Sequence, residues 1–194
     1  MLENLQNKLA KIILKYRQGH LDEAISDLRL LSVAHRDSIQ ILQAISALLI
    51  EKRRYEEAIG YLNQAMKLPE KSAHLYNLRS IAAKETGSIV QARNDILSAI
   101  EIDSKNSEFY FTLAAIERQE GTFEGAIQSL RKSITLNTNF AEAYVTLGHC
   151  FCKIGLMEVG QKIIRLTAGL IKISPNGDLV IIKGNLNEAF KYCF

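Results

Sequence analysis

Residues 107–140 decide the fold, and they read SEFYFTLAAIERQEGTFEGAIQSLRKSITLNTNF. Apolar and small residues recur three and four positions apart before Gly121 and again after it, which is the pattern of amphipathic helices. Gly121 ends the first run, because glycine readily adopts the backbone conformation that closes a helix. The segment therefore predicts a hairpin of two helices. Ala126 is placed where they cross, and its methyl side chain lets the helix axes approach closely.

The same unit returns every 34 residues along the chain. The crossing position is small in every copy: Ala24, Ala58, Ala92, Ala126 and Gly160. The turn position holds glycine in four copies: Gly19, Gly87, Gly121 and Gly155. In the second copy the turn position holds Arg53, which predicts a turn that is either less left-handed or strained.

Two further columns of the repeat are apolar throughout. The first follows the turn: Leu21, Tyr55, Ile89, Phe123 and Met157. The second lies seven residues later: Leu28, Leu62, Ile96, Leu130 and Ile164. Four columns in one register predict five helical hairpins, at residues 5–38, 39–72, 73–106, 107–140 and 141–174.

A period of 34 residues and the residues that fill it resemble the tetratricopeptide repeat. That family's pattern places an aromatic residue first, then leucine and a small residue three and four positions later. The matches are Tyr110, Leu113 and Ala114, then Tyr144, Leu147 and Gly148. The third hairpin departs from the pattern at Arg79 and Ser80. The resemblance implies an all-α, right-handed superhelix, or solenoid, whose first helices line a concave wall. It implies no single partner, because the family is a scaffold for many.

Residues 175–194 follow the fifth hairpin and are expected to cap its open end. Two interpretations remain open from Leu170 onward. β-Branched residues on both sides of Asn176 and Gly177 predict a β-hairpin. Alternatively, residues 178–192 form one capping helix, which we favour. Its inward side chains would be Val180, Ile181 and Ala189.

The composition indicates a well-packed protein without a strongly charged surface. Hydrophobic residues make up 47% of the 194 residues, enough for a continuous core, and the formal net charge is only +3. A net charge this small favours neither a nucleic-acid nor a membrane partner. No run of eighteen apolar residues occurs. The N-terminus does not have a basic segment followed by an apolar segment, which is the order of a secretory signal. Three cysteines are too few for a disulfide scaffold, so a cytoplasmic location is expected.

Catalytic and metal-binding motifs are absent from the sequence. The four histidines fall in different columns of the repeat, and no His-Glu-x-x-His pattern occurs. Cys150 and Cys152 are two positions apart in a predicted helix and point to different faces. Each glycine at a turn position is explained by the turn, so the sequence contains no glycine-rich loop of the kind that binds phosphate. We therefore expect no enzyme activity, no cofactor and no metal.

The concave wall is the remaining candidate site. The repeat register places twelve residues of three first helices on it: Asn77, Leu78, Ile81, Lys84, Phe111, Thr112, Ala115, Arg118, Val145, Thr146, His149 and Lys153. Apolar and small side chains occupy the floor, and cationic ones flank it. Such a surface suits an extended or helical peptide, particularly one with acidic residues.

One recognition mode of the family is not expected. Its chaperone-binding members grip a C-terminal carboxylate with lysines, asparagines and an arginine at fixed inward columns. Here those columns hold Ala10, Ile13, Ala44 and Leu78, whose side chains donate no hydrogen bond.

The sequence thus predicts a non-catalytic interaction scaffold that binds a protein or peptide partner. Two alternatives stay open. The chain can be the regulatory or substrate-docking part of a larger enzyme, such as a transferase, as the hydrophobic last residues and the off-pattern region 170–194 indicate. It can also be an adaptor that self-assembles through its terminal repeats.

Overall fold

The computed structural model describes residues 2–168, 170–173, 179–182 and 184–194. Up to residue 168, these residues form ten helices: α1 (Leu2–Arg17), α2 (Leu21–Ala34), α3 (Ile39–Glu51), α4 (Tyr55–Ala65), α5 (Ala73–Glu85), α6 (Ile89–Ile102), α7 (Ser107–Gln119), α8 (Phe123–Leu136), α9 (Ala141–Lys153) and α10 (Met157–Ala168). Two short strands and a short helix follow: β1 (Leu170–Ile173), β2 (Leu179–Ile182) and α11 (Leu186–Phe190). The predicted all-α fold of helical hairpins is confirmed.

The predicted columns occupy the positions in the structure that the repeat requires. Each second helix begins at the apolar residue that follows the turn, from Leu21 in α2 to Met157 in α10. The four crossing alanines have no exposed surface, and Gly160 is also buried. Small side chains therefore do lie at the contacts between paired helices, which is the packing that the sequence predicts.

The turns between paired helices share one backbone conformation. Gly19, Gly87, Gly121 and Gly155 have φ angles between +81° and +91°. Arg53 occupies the same column with a φ of +57°, in the left-handed region that side chains other than glycine adopt at a cost. The turn at Arg53 is thus left-handed like the others, and of the two predicted possibilities the strained one is correct.

The chain divides into two compact units, residues 1–95 and 96–194, and the division falls inside α6. In the first unit a single apolar cluster extends from Ile12 on α1 to Ala82 on α5. The third hairpin adds a buried ion pair: the Arg79 guanidinium donates to both carboxylate oxygens of Asp95, at 2.8 and 2.6 Å. The Ser80 hydroxyl donates to the Ala92 carbonyl at 2.7 Å. These bonds compensate the two departures from the family pattern.

The second unit has its own apolar cluster, from Ala114 on α7 to Cys193 near the C-terminus. Asn106 caps α7, because its side-chain oxygen accepts the Glu108 amide at 3.0 Å. Tyr144 is fully buried on α9, and its hydroxyl donates to the Thr138 carbonyl at 3.0 Å.

The last part of the chain contains a β-hairpin instead of the single helix that we favoured. β1 and β2 pair antiparallel, with Leu170 opposite Ile182 and Ile173 opposite Leu179. β-Branched residues fill five of the eight strand positions, and their stiff side chains favour extended backbone over helix. The predicted Asn-Gly turn lies outside the described residues, as do the side chains of Val180 and Ile181. Of the three predicted inward residues, Ala189 is buried, on α11.

Candidate functional site

The first helix of each hairpin carries the predicted binding residues, and their exposure differs. In the first unit, Asn77 and Leu78 are buried, whereas Ile81 and Lys84 are half-buried. The Asn77 side-chain oxygen is fully enclosed and has no hydrogen-bond partner among the described residues. The Lys84 ammonium forms an ion pair with Glu85. On α5, Ile81 and Lys84 therefore offer a partner more surface than Asn77 and Leu78.

In the second unit, the predicted residues lie on α7 and α9. Thr112 is buried, four are half-buried, and three are exposed. The half-buried ones are Phe111, Ala115, Val145 and Thr146, and the exposed ones are Arg118, His149 and Lys153. Three side chains that can carry positive charge are thus open to a partner on these two helices.

Two contacts connect α7 with α9. The Phe111 ring packs against Phe140, the residue before α9, with 4.9 Å between ring centroids and a tilt of 42°. Arg118 is near Cys150 of α9: burial raises the pKa of the Cys150 thiol, and the positive charge of Arg118 opposes that rise. The ring contact thus joins Phe111 to the start of α9.

A cavity that the sequence analysis did not predict lies in the first unit, between α1 and α3. Its volume is about 320 Å³, and it is lined by Leu9, Ile12, Ile13, Tyr16, Leu28, Gln40, Ala44, Ala47 and Leu48. Ile12 and Leu28 form its buried floor. Ile13 and Tyr16 stand at its rim, with 51% and 41% of their surface exposed. We call this cavity the apolar pocket.

Five of the nine residues that line the apolar pocket occupy the same columns as the predicted binding residues: Leu9, Ile13, Tyr16, Ala44 and Ala47. Leu9 falls in the column of Asn77 and Phe111, and Ile13 falls in that of Ile81 and Ala115. The repeat register therefore contained the signal. Ile13 and Ala44, whose side chains exclude a carboxylate clamp, are also suited to bind an apolar side chain.

Tyr16 lies at the rim of the apolar pocket and interacts with an acidic residue. The Glu51 carboxylate, as hydrogen-bond partner and negative charge, raises the pKa of the Tyr16 hydroxyl. An aromatic ring contributes a large contact area at low cost in conformational entropy. The rim therefore combines an aromatic side chain with the exposed aliphatic side chain of Ile13.

Metal-ligating side chains do not converge in the part of the chain that the structure describes: no three His, Cys, Asp or Glu residues are arranged to hold an ion. In the same residues, no helix is both long and apolar enough to cross a membrane.

Helical hairpins with small residues at each crossing and open first helices define the class of helical repeat proteins.

Within that class, the sequence model of the tetratricopeptide repeat matches residues 39–72 and 107–140. These are the second and fourth hairpins, with the limits that the repeat register predicts. Residues 39–72 and 107–140 are thus tetratricopeptide repeats.

Solved structures of low sequence identity share this fold. MamA has a TM-score of 0.66 at 21% identity, over 77% of this chain and 88% of that chain. YrrB, described as a TPR protein with an unusual peptide-binding site, has a TM-score of 0.60 at 13% identity, over 80% of each chain. Among curated proteins, rat serine/threonine-protein phosphatase 5 is 30% identical over 96 residues. That match covers 50% of this chain but only 19% of the phosphatase.

Proposed function

We propose that this chain is a non-catalytic scaffold that binds a peptide segment of a partner protein on the inward columns of its first helices. The observation that carries the proposal is the apolar pocket, an opening of about 320 Å³ at those columns. Peptide binding by YrrB, a protein of the same fold, supports the same kind of ligand.

The apolar pocket suits a large aliphatic or aromatic side chain of the peptide. Its lining is almost entirely apolar, so a bound side chain would gain free energy by leaving water without losing hydrogen bonds. Ile13 and Tyr16 are exposed in the absence of a partner and would become buried against the peptide. We therefore infer that this pocket accepts the anchor residue of the ligand.

The inward face of α7 and α9 suits a different part of a peptide. Half-buried Phe111 and Val145 provide apolar contact, and exposed Arg118 and Lys153 provide positive charge. Acidic peptide residues would form charge-assisted hydrogen bonds with these cations. We propose that α7 and α9 bind a segment in which acidic and apolar residues are mixed.

Peptides selected on the chain from a random phage-displayed library provide the probe for this proposal. Ile13→Ala is expected to weaken binding of pocket-anchored peptides about fivefold, because truncating one interface isoleucine costs roughly 1 kcal/mol. Val90→Ala is the matched control, since Val90 is an exposed apolar residue on the second helix α6. Fluorescence anisotropy gives both affinities.

The same peptides test α7 with a second matched pair. Arg118→Ala is expected to weaken acidic peptides about fivefold and to reduce the dependence of their affinity on salt. Arg165→Ala, on the second helix α10, is expected to change neither quantity. Selected peptides that bind the Ile13 and Arg118 variants as tightly as the native chain would refute binding on the inward columns.

The docking part of a larger enzyme is a second candidate function. It is supported by the similarity to phosphatase 5, of which the chain spans about a fifth, 19%. Reading the gene beyond the codon of residue 194 tests it. A catalytic domain in the same frame would support this function, and an immediate stop codon would contradict it.

A further inference from the structure

A second open surface lies on the side of α1 that faces α2, and it differs from the apolar pocket in its charge. Its cavity of about 300 Å³ is lined by Lys8, Lys11, Ile12, Lys15, Asp27, Leu30 and Leu31. Ile12 and Leu31 are buried at its base, and 72% of the Leu30 surface is exposed. We call this surface the lysine face.

The columns of the three lysines are fully covered in two other hairpins, the second and the fifth. On α3 they hold Leu42, Ile45 and Leu49, which have no exposed surface. On α9 they hold Tyr144, Leu147 and Phe151, which are buried, and the Arg131 guanidinium of the preceding helix α8 lies 5.8 Å from the Phe151 ring centroid. Packing in this fold therefore places a helix against this side of a first helix.

The lysine face has the shape for such a helix but a different chemistry. Lys8, Lys11 and Lys15 follow one another at intervals of three and four residues, so they form a stripe about two turns long. Lys15 is neutralised by α2, since its ammonium lies 2.7 Å from Asp27 and 3.6 Å from Glu23. Lys8 and Lys11 are exposed and form no ion pair with any described residue.

We propose that the lysine face binds an acidic amphipathic helix of a partner protein. The apolar side of that helix would cover Leu30, Leu31 and Ile12, and its carboxylates would pair with Lys8 and Lys11. Partial burial strengthens such pairs relative to their strength in water, and the two lysines would reject a helix with basic flanks. The apolar pocket opens on the other side of α1, towards α3, and shares only the buried Ile12 with the lysine face.

A second copy of the chain provides a poorer match. Its last helices would be the ones to continue a stack. On α10, α11 and the residue after α11, the cationic side chains are Lys162, Arg165 and Lys191, and the acidic ones are Glu158 and Glu188. That surface is not acidic, so charge complementarity favours a different protein over head-to-tail association of this one.

A charge-swap experiment on the native chain tests the proposal. The probe is a fluorescein-labelled synthetic helix of 18 residues, with leucines on one face and glutamates along both flanks. A second probe has lysine in place of each glutamate. Fluorescence anisotropy gives the affinity of each probe for three proteins. They are the native chain, a double variant with Lys8→Glu and Lys11→Glu, and a control double variant with Lys67→Glu and Lys71→Glu. Lys67 and Lys71 are exposed lysines of the same unit.

The acidic probe is expected to bind the native chain and the control equally. Its affinity should fall at least about tenfold in the Lys8 and Lys11 variant, which in turn should bind the basic probe. No binding of the acidic probe, or equal binding to all three proteins, would overturn the proposal. Two other results would overturn it. One is that the native chain forms a dimer and the double variant does not; the other is that the native chain binds phosphatidylglycerol vesicles but not the acidic probe.

Discussion

At the scale of single residues, the side chain at each helix crossing determines how closely two helices approach. The fifth hairpin has glycine on both sides of this contact. A Cβ atom added to Gly160 would lie 2.5 Å from the Cys152 sulfur, and one added to Gly148 would lie 2.7 Å from the Gly160 carbonyl oxygen. Neither distance accommodates a methyl group. Helices α9 and α10 are therefore packed more closely than the alanine of the other hairpins would permit.

Gly160→Ala is expected to destabilise the chain by about 1–3 kcal/mol, because the added methyl group forces two packed backbones apart. Gly60→Ala is the matched control: Gly60 lies in α4, and an added Cβ meets no atom within 4 Å. Without a clash, alanine should stabilise the helix by roughly 0.5–1 kcal/mol. Urea denaturation followed by circular dichroism measures both. Two variants that are both more stable than the native chain would contradict close packing at Gly160.

Residue-level exceptions show where sequence reasoning was incomplete. The repeat columns predicted the five crossing residues, since a buried small side chain leaves a clear signal in every copy. At Arg53 the sequence was compatible with two turn conformations. A positive φ costs a non-glycine residue little enough free energy that packing of the surrounding helices determines which conformation forms. Arg79 could be recognised as a departure from the family pattern, but its partner Asp95 is 16 residues away and becomes evident only in the folded hairpin.

At the scale of secondary-structure elements, the end of the second unit is closed by the C-terminal segment that contains α11. Arg131 of α8 donates a hydrogen bond to the Cys193 carbonyl, and its guanidinium lies between the rings of Phe151 and Phe194, 5.8 Å from each centroid. Cys193 has no exposed surface as a result of this packing. Burial raises the pKa of the Cys193 thiol to about 11.

Because the thiolate is the reactive form, Cys193 should be alkylated slowly near pH 8 in the folded chain. Arg131→Ala is expected to accelerate its alkylation severalfold, since the last residues would lose their contacts with α8. Cys150, buried within α9, should stay protected. Lys132→Ala is the neighbouring control. Iodoacetamide labelling followed by peptide mass spectrometry gives each rate, and equal Cys193 rates in all variants would show that Arg131 does not hold this segment.

The element scale also shows what limited prediction of the C-terminal region. Residues 170–182 do not follow the 34-residue register, so only local propensity remained to distinguish a strand from a helix. The β-branched residues indicated the β-hairpin, but the need to cover the fifth hairpin favoured a helix. The structure meets both demands, with β1 and β2 first and the short helix α11 afterwards. A single interpretation of this segment could not have been correct.

At the scale of the whole molecule, the helices of a hairpin have different functions. Second helices carry the crossing residues, which are buried within each unit. First helices carry most of the residues that line the apolar pocket and the exposed cationic residues of α7 and α9. The register assigns every residue to a column, and from it the sequence predicts that the binding residues lie on first helices. It could not predict the apolar pocket, whose volume depends on the separation of α1 and α3.

Hydrogen–deuterium exchange of the chain with a selected peptide tests this division of function most directly. The Lys8→Glu and Lys11→Glu variant is the appropriate protein, because it removes binding at the lysine face. We expect the bound peptide to slow exchange in the first helices, in α1 and α3 around the apolar pocket or in α7 and α9, and to leave α4, α8 and α10 unchanged. In α2, protection is expected only around Leu28, which lines the pocket. Protection confined to second helices, or to residues 184–194, would contradict it.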